Sequence, residues 1–127
     1  MNNPIPKPVA EVWKPELVRL PEMTHSRRLF RSFAHGLIKL VAKICLKVTA
    51  IGMENFPREG PVLVVINHLG DSDVPALIST FPFPPDALGK IELSELPILG
   101  KLIDWYGVIW LHRGRADIRA LRAALEG

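Results

Sequence analysis

One short segment limits the fold more than any other: Val62-Leu63-Val64-Val65-Ile66, between Gly60-Pro61 and Asn67. Five consecutive apolar residues, four of them β-branched, leave no polar position for a solvated sheet face. Such a run predicts a strand covered on both sides, the situation of a parallel sheet sandwiched by helices. Gly107-Val108-Ile109-Trp110-Leu111 predicts another buried strand, and Ala87-Leu88-Gly89-Lys90 a short one. Helices are predicted between and after them. Val74 to Thr80 starts at Ser72 or Asp71 with Pro75 in its first turn, Pro97 to Tyr106 has proline near its start, and Ala116 to Glu126 sets Ile118, Leu121 and Leu125 on one face. Strand and helix alternate, so the expected class is α/β, with a mostly parallel or mixed sheet covered by helices.

Two segments precede this region. Residues 1–25 contain Pro4, Pro6, Pro8, Pro15 and Pro21. Prolines remove backbone donors and block helix, which predicts an extended arm. Residues 26–50 predict one helix, with Ser26 or Thr24 at its N-cap. At 100° per residue, Arg27, Arg31, His35, Lys39, Lys43 and Lys47 sweep one side, with Arg28 among them. Leu29, Phe30, Phe33, Leu37, Ile38, Leu40, Val41, Ile44, Cys45 and Val48 fall mainly opposite, Ala42 and Leu46 excepted. No acid lies between Arg27 and Ile51. This is a basic amphipathic helix, and the expected organisation is arm 1–25, helix 26–51 and α/β region 52–127.

The apolar face of such a helix can sink into a lipid surface while its cations meet anionic headgroups, each worth about 1 kcal/mol. The alternative is a core helix with a merely solvated basic face. Charge distribution favours an anionic partner for the first half: residues 1–60 carry ten Lys or Arg against five Asp or Glu, and residues 61–127 six against eight. Base-reading side chains are not interleaved with these cations, so no nucleic-acid partner is expected. Cys45 is the only cysteine, which leaves no internal disulfide and suits a reducing compartment. The first residues lack the basic start and apolar run of a secretory signal. No apolar stretch approaches the ~20 residues of a spanning helix, so the expected location is cytoplasmic and peripheral on the membrane.

Two polar clusters follow predicted strands, where α/β sheets build their sites. In Asn67-His68-Leu69-Gly70-Asp71-Ser72-Asp73, an imidazole can take a proton from a hydroxyl, and a carboxylate can hold its tautomer. Gly70 permits the loop to fold back so that His68 and Asp73 meet. The alternative is a strand-end histidine followed by helix-capping acids. In His112-Arg113-Gly114-Arg115, two arginines beside a helix start suit a phosphate. There the alternative is a solvated basic loop pairing with Asp117. His68 with Asp71 and Asp73 lacks further ligands at sensible spacing, so neither a metal nor a cofactor is expected.

Together these residues resemble the lysophosphatidate acyltransferase family of glycerolipid acyltransferases. Asn67-His68 with Asp73 matches its Asn-His-x4-Asp motif. Gly107-Val108-Ile109-Trp110-Leu111-His112-Arg113 is similar to Gly-x-Ile-Phe-x-x-Arg, with Trp110 for Phe. Lys90, Glu92, Leu93 and Pro97 fit the Lys-x-Glu-Leu…Pro segment between them, and Gly52 to Pro61 looks like the lead-in. The resemblance implies acyl transfer from an acyl thioester, acyl-CoA or acyl-carrier protein, to the hydroxyl of lysophosphatidate or a related lysophospholipid. It makes His68 the general base, Asp73 its orienting carboxylate, and Arg113, Arg115, Asn67 and Gly107 substrate-binding. No acyl-enzyme is implied, so no poised nucleophile is needed. The family's Glu-Gly-Thr-Arg motif and its following proline motif do not occur, which implies an incomplete domain. A truncated, non-catalytic membrane-binding relative is the alternative; a hydrolase ranks behind both, since no Gly-x-Ser-x-Gly elbow is present.

Overall fold

The structure is a computed structural model that describes residues 12–114 and 116–127. The arm expected over residues 1–25 therefore lies partly outside the described residues. Its described part makes a 3-10 turn at Pro15–Leu17. Six regular elements follow: α1 (His25–Cys45), α2 (Asp73–Thr80), β1 (Leu88–Lys90), α3 (Leu99–Tyr106), β2 (Ile109–Leu111) and α4 (Ile118–Glu126). They divide into two compact units, one formed by the chain up to Arg31 with Asp86–Gly127, the other by Ser32–Pro85.

The first unit holds the sheet. β1 and β2 pair in parallel, Leu88 opposite Ile109, Gly89 opposite Trp110 and Lys90 opposite Leu111. A parallel pair needs a crossover, supplied by a 3-10 turn at Ile91–Glu95 and by α3. α3 ends where Gly107 adopts φ +93° and donates its N–H to Asp104 O, a left-handed exit that glycine makes without steric cost. Trp110 is fully buried, and its indole N–H donates to Asp104 Oδ1 at 2.9 Å. A buried tryptophan needs such a partner, which is how the bulkier ring is accommodated in this strand. α4 begins at Asp117, whose Oδ1 accepts the Ala120 N–H, and lays Ala120 and Ala123 against Val18 and Ile109.

α3 fits tightly against the turn before it. A Cβ added at Gly100 would lie 2.7 Å from Ser94 O and 2.8 Å from Leu93 O. Both are backbone atoms and cannot rotate away. Gly100→Ala should therefore destabilise the protein by about 1–3 kcal/mol, despite alanine's better helix propensity, as urea unfolding would show. An unchanged midpoint would mean that the turn yields freely.

The second unit contains the rest of α1, α2 and an aromatic group. Phe56 meets Phe81 edge-on at 5.5 Å, and Phe83 stacks against Phe81 at 6.4 Å. The strand expected at Val62–Ile66 does not form. Exposure along Val62 to Ile66 runs 42, 82, 43, 83 and 40%. The period-2 alternation of a strand is present, but no described segment hydrogen-bonds to it. β-branched residues favour the extended backbone; a ladder requires a neighbour.

α1 starts at one of the two caps expected and departs from expectation in its end and its exposed face. Its N-cap is Thr24, whose Oγ1 accepts the Arg27 N–H. It stops at Cys45 rather than residue 50, ahead of the poor helix formers Val48 and Thr49. Its basic side is not uniformly solvated. Arg31 is buried, pairs with Asp86 at 2.7 Å and lies 4.9 Å over the Tyr106 ring. His35 is buried with Nε2 3.1 Å from Ile78 O. The exposed face is instead the apolar one, carrying Phe33, Leu37, Leu40, Val41 and Ile44. At 100° per residue these five fall within an arc of about 100°. Lys43, exposed, lies beyond one edge of it, and Lys47, also exposed, follows the end of the helix.

Candidate functional site

The loop from His68 to Asp73 is organised by one carboxylate oxygen. Asp73 Oδ2 accepts the N–H of Leu69 at 2.6 Å and of Gly70 at 2.8 Å. The same oxygen lies 3.2 Å from His68 Nδ1. Asp73 N–H donates back to Gly70 O at 3.1 Å, which closes the turn. Three donors converge on Oδ2, so His68 Nδ1 carries the proton in this pairing and Nε2 is left as the basic edge. The Gly70 amide, the His68 ring and the Leu69 amide hold the Asp73 carboxyl below its ordinary value of 3.8. The carboxylate is therefore ionised wherever the imidazole could act. Asp73 opens α2, and Ser72 occupies the N-cap position without a side-chain bond, so the capping role expected of Ser72 or Asp71 is not what organises this loop.

The chain contains a second pair at the same spacing. His112 Nδ1 lies 2.9 Å from Asp117 Oδ2, which also accepts the His112 N–H at 3.0 Å. Here the other ring nitrogen is occupied: Nε2 accepts the Lys14 N–H at 3.1 Å, and the Trp13 ring covers the imidazole at 4.5 Å. The His112 side chain is 2% exposed, that of His68 52%. Both histidines have a carboxylate on Nδ1, but only His68 presents an open Nε2. Burial opposes ionisation of Asp117, yet the His112 amide and ring and the Ala120 amide together hold its carboxyl low. The alternative weighed for the His112–Arg115 loop, a pairing with Asp117, is met at His112, because the chain folds back over four residues as it does at His68. The repeated His-x4-Asp spacing was the available signal for this second pair.

The remaining expected residues are dispersed. Asn67 is exposed beside His68 in the second unit. Gly107 sits at the α3–β2 exit in the first unit. Arg113, in the turn two residues past β2, donates an Nη2–H to Glu92 Oε1 at 3.2 Å. Burial works against the Glu92 charge, but its own amide and Arg113 hold the carboxyl low, so the pair is ionised. Glu92 Oε2 is buried without a partner among the described residues. The partnership joins Arg113 to the Lys90–Glu92 segment, two pieces that the sequence showed separately. Arg115 lies outside the described residues. Among the described residues no three His, Cys, Asp or Glu side chains cluster as a metal site would require, and no helix is long and apolar enough to cross a membrane.

A family model described as Acyltransferase matches residues 47–126, well over half of the chain. The chain is similar to a 1-acyl-sn-glycerol-3-phosphate acyltransferase of Borreliella burgdorferi, 28% identical over 88 residues, or 65% of this chain and 35% of that protein. It is similar also to a lysophosphatidylcholine acyltransferase of Drosophila melanogaster, 33% identical over 66 residues, or 52% of this chain and 12% of that protein. The chain thus spans about a third of the first relative and about an eighth of the second. No solved structure gives a significant match.

Proposed function

The chain belongs to the acyltransferase family, and on that premise we propose that His68 and Asp73 carry acyl transfer onto a lysophospholipid hydroxyl. The observation that supports this is the open Nε2 of His68, set opposite an Nδ1 fixed by an ionised Asp73. Nε2 takes the hydroxyl proton of the acceptor as its oxygen attacks the thioester carbonyl. Asp73 stabilises the resulting imidazolium. The tetrahedral intermediate collapses, the carbon–sulfur bond breaks, and the imidazolium returns its proton to the departing thiolate. The donor is acyl-CoA or acyl-carrier protein, with no further cofactor. Arg113 receives the acceptor's phosphate, turning its guanidinium from Glu92 to fork onto the phosphate oxygens. Arg115, two residues on, and Asn67 and Gly107 complete the substrate contacts in this reading. The test is thiol release from acyl-CoA by protein containing this chain. Release should require an added lysophospholipid. Release of free fatty acid without an acceptor would indicate hydrolysis instead.

The exposed apolar face of α1 supports a second element of the reading, attachment to the cytoplasmic surface of a membrane. Five large apolar side chains on one face form a patch of the kind that marks a lipid or protein contact. Lys43 lies beyond its edge and Lys47 just past the end of the helix, where ammonium groups reach headgroups while their stems stay apolar. Phe33→Glu combined with Ile44→Glu should weaken partition onto anionic vesicles about 100-fold or more, given about 1.5–3 kcal/mol for each buried side chain. Vesicle co-sedimentation reads this directly. Equal binding by the double variant would remove α1 from the membrane contact. Binding without thiol release would favour the non-catalytic relative.

A further inference from the structure

In the first unit, an open groove of about 510 Å³ is lined by Thr24, Ser26, Arg27, Lys101, Asp104 and Trp105, among others. None of its lining residues belongs to the His68–Asp73 or Arg113–Glu92 pairs. Its polar groups are unequally satisfied. Arg27 Nη1 is shielded from solvent and has no hydrogen-bond partner among the described residues. A shielded guanidinium nitrogen keeps its desolvation cost until an acceptor arrives. Lys101 supplies a second cation and makes no ion pair among the described residues. The Thr24 and Ser26 hydroxyls hydrogen-bond to each other at 3.1 Å, and Thr24 Oγ1 also accepts the Arg27 N–H, which leaves one hydroxyl proton of the pair to donate. The one acid, Asp104, has Oδ1 engaged by the Trp110 indole.

Two cations with unused donors and one hydroxyl proton call for a ligand with several acceptor oxygens. We propose that this groove binds a phosphate group, with Arg27 and Lys101 as its charged donors and the Thr24–Ser26 pair as its hydroxyl donor. Arginine forks onto phosphate oxygens, and an ammonium adds a point charge beside it. The volume lies in the range of about 300–1,000 Å³ common to small-molecule sites, so the phosphate belongs to a larger molecule. Leu17 and the exposed side of Trp105 offer apolar surface for its organic part. The site stands independently of the acyl-transfer reading.

Calorimetric titration with inorganic phosphate tests the proposal on wild type and on Arg27→Gln, Lys101→Gln and Asp104→Asn. Arg27→Gln and Lys101→Gln should each weaken binding about tenfold, the scale of one charge-assisted hydrogen bond. Asp104→Asn keeps an acceptor for the indole and removes the opposing charge, so binding should tighten. Lys101 is exposed, so its substitution leaves the fold intact and keeps the test decisive if Arg27→Gln misfolds. Phosphatidylcholine vesicles with and without phosphatidic acid identify the source of the phosphate. A loss of binding to the acidic vesicles in Arg27→Gln, beyond that in a Lys43→Gln control, assigns a lipid headgroup. An equal loss in the two assigns a soluble phosphate compound. No heat with inorganic phosphate, or the same affinity in wild type and Lys101→Gln, overturns the proposal.

Discussion

His68→Ala should lower kcat for lysophospholipid acylation by about 10²–10⁴-fold, the usual contribution of a positioned general base. KM for the acyl donor should change little, because the imidazole acts on the acceptor's proton. Asp73→Asn should fall in the same range by another route. The asparagine oxygen can still accept the Leu69 and Gly70 amides, which preserves the turn. It cannot stabilise an imidazolium, and its amide group can leave the ring in the wrong tautomer. Arg113→Gln should act on the other kinetic constant, raising KM for a phosphate-bearing acceptor with kcat held. Wild-type rates in His68→Ala would remove the imidazole from the mechanism. Equal loss in kcat and KM for all three variants would mean that the substitutions disturb folding.

Both the site and the fold were partly readable in the residues, for different reasons. His68 and Asp73 meet because the contact is local: five residues, a glycine and two amides suffice to close it. Gly107, read as the start of a strand, caps α3, and Asp117, read as lying within a helix, caps α4, although the φ that glycine allows and the acceptor that aspartate supplies are properties of single residues. The strand at Val62–Ile66 was not readable in the same way. Its preference for extended backbone is local, but its ladder depends on a distant partner that no window of sequence reports. α1 misled in a similar manner. Periodicity separates two faces of a helix but cannot say which is inward. Arg31 turned in because Asp86 and Tyr106, more than fifty residues away, receive it. His112 looked like part of a basic loop until Lys14, from the far end of the chain, took its second nitrogen.

His112→Leu should lower stability by about 3 kcal/mol, a melting-temperature drop of roughly 10 °C for a chain of this size. The substitution fills the space with apolar atoms but strands two groups. The Lys14 N–H loses its acceptor, and Asp117, 13% exposed, loses a ring donor at 2.9 Å. The Asp117 carboxyl is held below its ordinary 3.8, so its contribution is complete above that pH and is lost as pH falls through the lowered value. The stability gap between wild type and His112→Leu should therefore be widest at neutral pH and narrow below pH 3.8, measured by thermal unfolding in both conditions. A gap that grew on acidification would reverse the assigned sign. The two His-x4-Asp pairs then separate cleanly. His68→Ala, at an exposed loop, should cost activity and leave the melting temperature nearly unchanged. His112→Leu, assayed where it remains folded, should cost stability and leave kcat near that of wild type. The same four-residue spacing serves both, and what distinguishes them is the second ring nitrogen, without a partner among the described residues in His68 and closed by a backbone amide in His112. A crossed result, with activity tracking His112 and stability tracking His68, would exchange the two roles.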